Sequence, residues 1–180
     1  MTGSTLNHQM KRTHRDHVEE LLAAAAADHA RLIAQLPDEL GASLPVDAQG
    51  VTRAIEHLAI AAGLTDEERR ALIRPHAVNP AVLHARVFGP TPLTRETVIA
   101  SFVEGARVRA VALTQLAGAV GGEPLVREVR SVLTADPPPV RADAPDVVLA
   151  LRATYAAHER AAIVIAAGLD RLERSRVSGV

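Results

Sequence analysis

Residues 148–172 read VLALRATYAAHERAAIVIAAGLDRL. Val148, Leu151, Tyr155, His158, Ala162, Ile165, Leu169 and Leu172 recur there at steps of three and four, a seven-residue repeat that a helix gathers onto one face. No strand-like alternation with turn signals competes with it, so the stretch predicts a long helix from about Ala144 to Arg176. The most apolar run inside it, Ala161–Leu169, is about half the roughly 20 residues that a membrane span needs, and Arg160 and Asp170 flank it. It is therefore expected to be a buried segment, not an anchor.

The same periods extend toward the N-terminus. Val18, Leu22, Ala25, His29, Leu32 and Leu36 form a seam on a helix expected to begin at the N-cap Thr13 and stop before Pro37. Asp47 is placed to cap a second helix over about 48–62, with Gly63 in the left-handed position just past its end. Thr65 and Glu68 form a capping box that opens a short helix to about Arg74. Pro75, Pro80, Gly89, Pro90 and Pro92 then predict an irregular crossover, with one or two helical turns between Ala81 and Phe88. A helix capped by Thr94 carries Ile99, Phe102, Ala106, Ala110, Leu113, Ala117 and Val120 along one face and is expected to end at Gly121-Gly122. A short helix from Pro124 to Leu133 follows, and Asp136-Pro137-Pro138-Pro139 is read as a stiff connector. The expected architecture is all-α: a helical bundle with a four-helix-type core, additional short helices and a Pro-rich crossover. Residues 1–12, polar and without an apolar period, read as a flexible tail, and 13–180 as one domain.

Composition narrows the chemistry. The 180 residues include no cysteine, so disulfides, thiolate metal sites and a cysteine nucleophile are excluded. At this length a chain buries roughly two thirds of the surface its unfolded form exposes, so the fold needs no metal to hold it together. A net charge of -1 and only three aromatic residues, Tyr155, Phe88 and Phe102, argue against nucleic acid as a partner. With no secretory-type apolar segment near Met1, the chain is read as cytoplasmic and free of membrane contact. Lys11 is the only lysine, and the arginine and alanine excess suggests a GC-rich bacterial genome.

A site must then be made from the eight histidines, carboxylates, arginines and one tyrosine. His29 and His158 interrupt apolar seams on two long helices, where an unpaired polar group costs roughly 1–3 kcal/mol. The plain expectation is a hydrogen bond to a carbonyl or carboxylate for each. The sharper one is a shared interior site with Tyr155, one turn before His158, and with Glu104, which otherwise pairs with Arg107 on a solvated face. Neutral imidazole in such a pocket suits general acid–base catalysis near neutral pH on a small apolar molecule, without a cofactor. The alternative is a transition-metal site built from the same histidines with Glu104 or His57. A third reading makes the last helix a homodimer seam, with the histidines specifying register. His14 and His17, spaced to face one ion with Glu19 or Glu20 nearby, are read as surface residues, because a helix start disfavours cationic histidine. His57 follows Glu56 off the main apolar face of its helix, and Glu159 is expected to pair with an arginine.

Glu56, Glu104 and Glu159 lack the histidine three residues on that carboxylate-bridged di-iron bundles require. The opening RDHVEELL at 15–22 is similar to the first helix of hemerythrin-like proteins, but neither His57 nor His158 starts the later His-x-x-x-Glu pair, and no family is assigned.

Overall fold

The computed structural model describes residues 12–34, 49–73, 95–135, 143 and 145–179. Among them five helices and no strand are found: α1 (His14–Ala34), α2 (Gln49–Ala61), α3 (Asp66–Ile73), α4 (Arg95–Thr134) and α5 (Val147–Ser178). The all-α expectation holds. Residues 1–11, the Thr94 cap, the turns expected within Ala81–Phe88 and the Pro137–Pro139 connector lie outside the described residues.

Local chemistry sets the start of α1, the end of α2 and the start of α3 where the sequence placed them, while the stop at Pro37 and the Asp47 cap lie outside the described residues. Thr13 and Asp16 cap α1 reciprocally: the Asp16 N–H donates to Thr13 Oγ1 at 3.1 Å and the Thr13 N–H to Asp16 Oδ2 at 3.3 Å. At the end of α2, Gly63 takes φ +76°, and the N–H groups of Gly63 and Leu64 donate to the carbonyls of Ile60 and Ala59. That is the Schellman arrangement, and it satisfies two carbonyls that the helix leaves over. Thr65 and Glu68 exchange the two bonds of the capping box at the start of α3.

The break expected at Gly121-Gly122 is present: helical backbone stops at Gly122, so α4 consists of two helical segments, the second of which opens around Pro124 and runs to Thr134. Gly122 has φ 62° and ψ -158°, a conformation that glycine adopts without a Cβ penalty, and Pro124 sits in the first turn of the next segment, where its missing N–H costs nothing. The bend is sharp. Val126 Cγ2 comes within 3.6 Å of where a Cβ on Gly118 would stand, although eight residues of straight helix would separate them by about 12 Å.

The packing places the ends of three helices together. Contacts advance in the same direction along α4 and α5, from Phe102 against Tyr155 to Leu125 against Gly168 and Glu128 against Arg171. α2 crosses α1 in the opposite sense, with His57 beside His14 and Gly50 beside Ala25. A Cβ on Gly50 would lie 2.9 Å from that of Ala25, so glycine here lets the two backbones approach. The main core joins Val18 of α1, Ile55 and Leu58 of α2, Leu113, Leu116 and Val129 of α4, and Ile165 and Leu169 of α5. Burial of each large aliphatic side chain contributes roughly 1.5–3 kcal/mol. A smaller cluster, Ile99, Ala106, Val147, Leu151 and Tyr155, lies toward the start of α4 and α5. Among the described residues no helix is long and apolar enough to cross a membrane.

Candidate functional site

The start of α1, the last turns of α2 and the C-terminal third of α5 meet at one end of the bundle, and they carry chemistry there. Asp170, only 7% exposed, receives the backbone N–H of His14 on Oδ1 at 2.8 Å and that of Arg15 on Oδ2 at 3.1 Å. A carboxylate 156 residues away thus satisfies two first-turn donors of α1 and complements the positive end of its dipole. This pins the start of α1 to α5.

The pinned turn presents His14 to two partners. Its Nε2 lies 2.9 Å from Glu173 Oε1, one turn beyond Asp170 on α5, and its Nδ1 lies 3.2 Å from His57 Nε2 on α2. His17, one turn along α1, packs its ring on His57 with centroids 4.2 Å apart. Ligand atoms of His14, Asp170 and Glu173 all fall within 4.8 Å of one another. Each Asp170 oxygen that accepts a backbone N–H retains a second lone pair. Burial, and then the neighbouring His17 and His14 rings, hold the His57 pKa below its ordinary value. This favours the neutral ring, in which one nitrogen carries hydrogen and the other accepts.

The reading of His14 and His17 as surface residues is corrected: both are half-buried, because α5 and α2 close over the first turn of α1. Their expected acidic neighbours are engaged elsewhere, Glu19 with Arg15 and Glu20 with Arg12. Asp170 and Glu173 were not singled out. The available signal was an acid pair at i, i+3 on α5 matching a histidine pair at i, i+3 on α1.

The four residues first proposed for catalysis distribute differently. Tyr155 and His158 come together on α5, each 1% exposed, with ring centroids 5.9 Å apart and an interplanar angle of 82°. Tyr155 Oη accepts a hydrogen bond from Arg109 Nη2 at 2.7 Å and donates to the Phe102 carbonyl at 3.3 Å. The Arg109 guanidinium carbon lies 4.8 Å from the centre of the tyrosine ring, and the Phe102 ring meets it edge-on. Arg109, not foreseen, is the third member of this group. It is 5% exposed, and Gly105 makes room for it, since a Cβ there would stand 3.3 Å from Arg109 Nη2.

Glu104 instead stands at the surface in a two-pronged pair with Arg107, at 2.6 and 2.9 Å, and that pair holds its carboxyl below the usual carboxylate range. His29 is half-buried on α1. Neither has a hydrogen bond or ring contact with Tyr155 or His158 among the described residues. Glu159, expected to pair with an arginine, forms no ion pair among the described residues; it is half-buried, and burial raises its carboxyl against the opposing pull of Arg160.

The chain matches no family model, no curated protein and no solved structure.

Proposed function

We propose that this chain is a metal-binding helical-bundle protein in which His14, Asp170 and Glu173 hold one divalent transition ion. The observation that carries the reading is the convergence of their three ligand atoms within 4.8 Å, from opposite ends of the sequence. One imidazole and two carboxylates form a mixed nitrogen–oxygen donor set suited to zinc, manganese or iron(II), and the two carboxylates neutralise the charge of the ion. The backbone bonds to Asp170 fix one ligand before any ion arrives, and the stiffness of α1 and α5 fixes the others. Calorimetric titration of metal-free protein with zinc tests the reading. One ion per chain at micromolar or tighter affinity is expected, lost in His14→Ala. The absence of a saturable heat would remove the reading.

A second reading is favoured by the burial of Arg109, Tyr155 and His158 side by side. It assigns the interior group to acid–base work on a small apolar molecule without a cofactor, with His158 as the proton carrier and Arg109–Tyr155 as the anion-stabilising pair. In a screen of small apolar ligands by protein-observed NMR, shifts confined to residues around His158, and absent in His158→Ala, are the expected result. Binding that survives in His158→Ala would sink it.

A further inference from the structure

His57 touches the proposed metal centre without belonging to its ligand set. We propose that His57 is a positioning residue of that centre, accepting the Nδ1–H of His14 and so presenting the His14 Nε2 lone pair to the metal between Asp170 and Glu173. The inference rests on the metal reading above.

A neutral imidazole has one N–H and one lone pair, so committing one nitrogen decides the other. His14 has a partner on each: Glu173 Oε1 at 2.9 Å from Nε2, and His57 Nε2 at 3.2 Å from Nδ1. Without an ion, the carboxylate accepts from His14 Nε2, which must then carry hydrogen. In the neutral ring that is the only N–H, and His14 Nδ1 then accepts from His57 Nε2–H. A metal on Nε2 requires the Nε2 hydrogen to leave to water, His14 Nδ1 to take the hydrogen of His57 Nε2, and His57 Nδ1 to take one from water, so that both rings stay neutral. His57 Nε2 must then be the acceptor, with the His57 proton on its own Nδ1. Ligating histidines commonly have their second nitrogen held in this way, usually by a carboxylate or a carbonyl; here the holder is a second histidine.

The surroundings of His57 suit this role. Its other ring neighbour is His17, at 4.2 Å between centroids and tilted by 53°, which packs against the ring and limits its rotation. The rings of His14 and His57 lie 5.4 Å apart at 46°, an in-line bond geometry and not a stack. The groups facing His57 are therefore the two α1 imidazoles, with Glu173 and Asp170 beyond His14.

Zinc titration of full-length protein with ¹⁵N-labelled histidine tests the proposal. In the zinc-bound wild type, His57 is expected as the Nδ1–H tautomer with an unligated Nε2. His57→Phe, which fills the space without accepting a hydrogen bond, should weaken zinc binding by about 10- to 100-fold. His57→Gln, whose amide oxygen can accept from His14 Nδ1, should recover most of that loss. A zinc-bound ¹⁵N signature on His57 itself would overturn the proposal by making it a ligand, and so would His57→Phe binding zinc as tightly as the wild type. A wild type that binds no zinc is a different result, and it would remove the metal reading on which the proposal stands.

Discussion

The end of the bundle and its interior both gather histidine, but in opposite company. At the end, three imidazoles meet two carboxylates, one of them nearly half exposed, and ring nitrogens face oxygen lone pairs and one another. In the interior, one imidazole lies against a tyrosine ring that is bonded to a buried guanidinium. The first arrangement collects lone pairs on the rim of the fold, and the proposed metal site rests on them. The second surrounds a cation with an aromatic face and a hydroxyl oxygen, which are neutral and packed. What a histidine in an apolar seam can do is therefore set by the charge and exposure of the groups that reach it.

The largest effect that separates the two regions is expected in Tyr155→Phe. It removes the oxygen that accepts from Arg109, and losing a buried hydrogen bond to a charged group costs about 1.5–3 kcal/mol. Urea denaturation should register that loss while zinc affinity stays at the wild-type value. A parallel fall in zinc affinity would show that the two regions are coupled and would break the contrast drawn between them.

A smaller effect is expected at Glu159, next to His158. Burial raises its carboxyl above the ordinary value, so the folded chain keeps this proton to higher pH than the unfolded chain does. Its stabilising contribution is thus full below the ordinary carboxylate pKa and declines as pH rises through the raised value. Glu159→Gln should remove that decline, making the variant more stable than the wild type at neutral pH by under about 1 kcal/mol, since solvent screens a half-exposed group. Denaturation curves for both proteins at roughly pH 4 and pH 7 check the sign. A wild type that gains on the variant as pH rises would contradict it.

Much of the fold was legible because its signals are local. Thr13, Gly63 and the Thr65–Glu68 box act within a few residues of themselves, and the period of α5 needs no knowledge of what it packs against. The break at Gly122 was legible as well, from the glycine pair and Pro124; only the sharpness of the turn, which brings Val126 back beside Gly118, depends on packing. Arg109 was missed because steps of three and four from Ala106 lead equally to Arg109 and Ala110, and hydropathy favours the alanine. The structure buries the arginine, which finds Tyr155 across the helix pair, and leaves Ala110 half-buried. Asp170 was the least legible of all. Its role consists of two bonds to backbone N–H groups 155 and 156 residues away, and no property of its own neighbourhood points to them. His14 and His17 were judged by the helix start on which they stand, while their surroundings are set by α2 and α5.

Anomalous diffraction from crystals of the full chain grown with zinc or manganese locates a bound ion directly. A single peak is expected within about 2.0–2.2 Å of His14 Nε2 and of an oxygen each from Asp170 and Glu173, with His57 outside bonding distance. A peak at other residues, or none in crystals soaked to saturation, would rule out a metal centre on His14, Asp170 and Glu173.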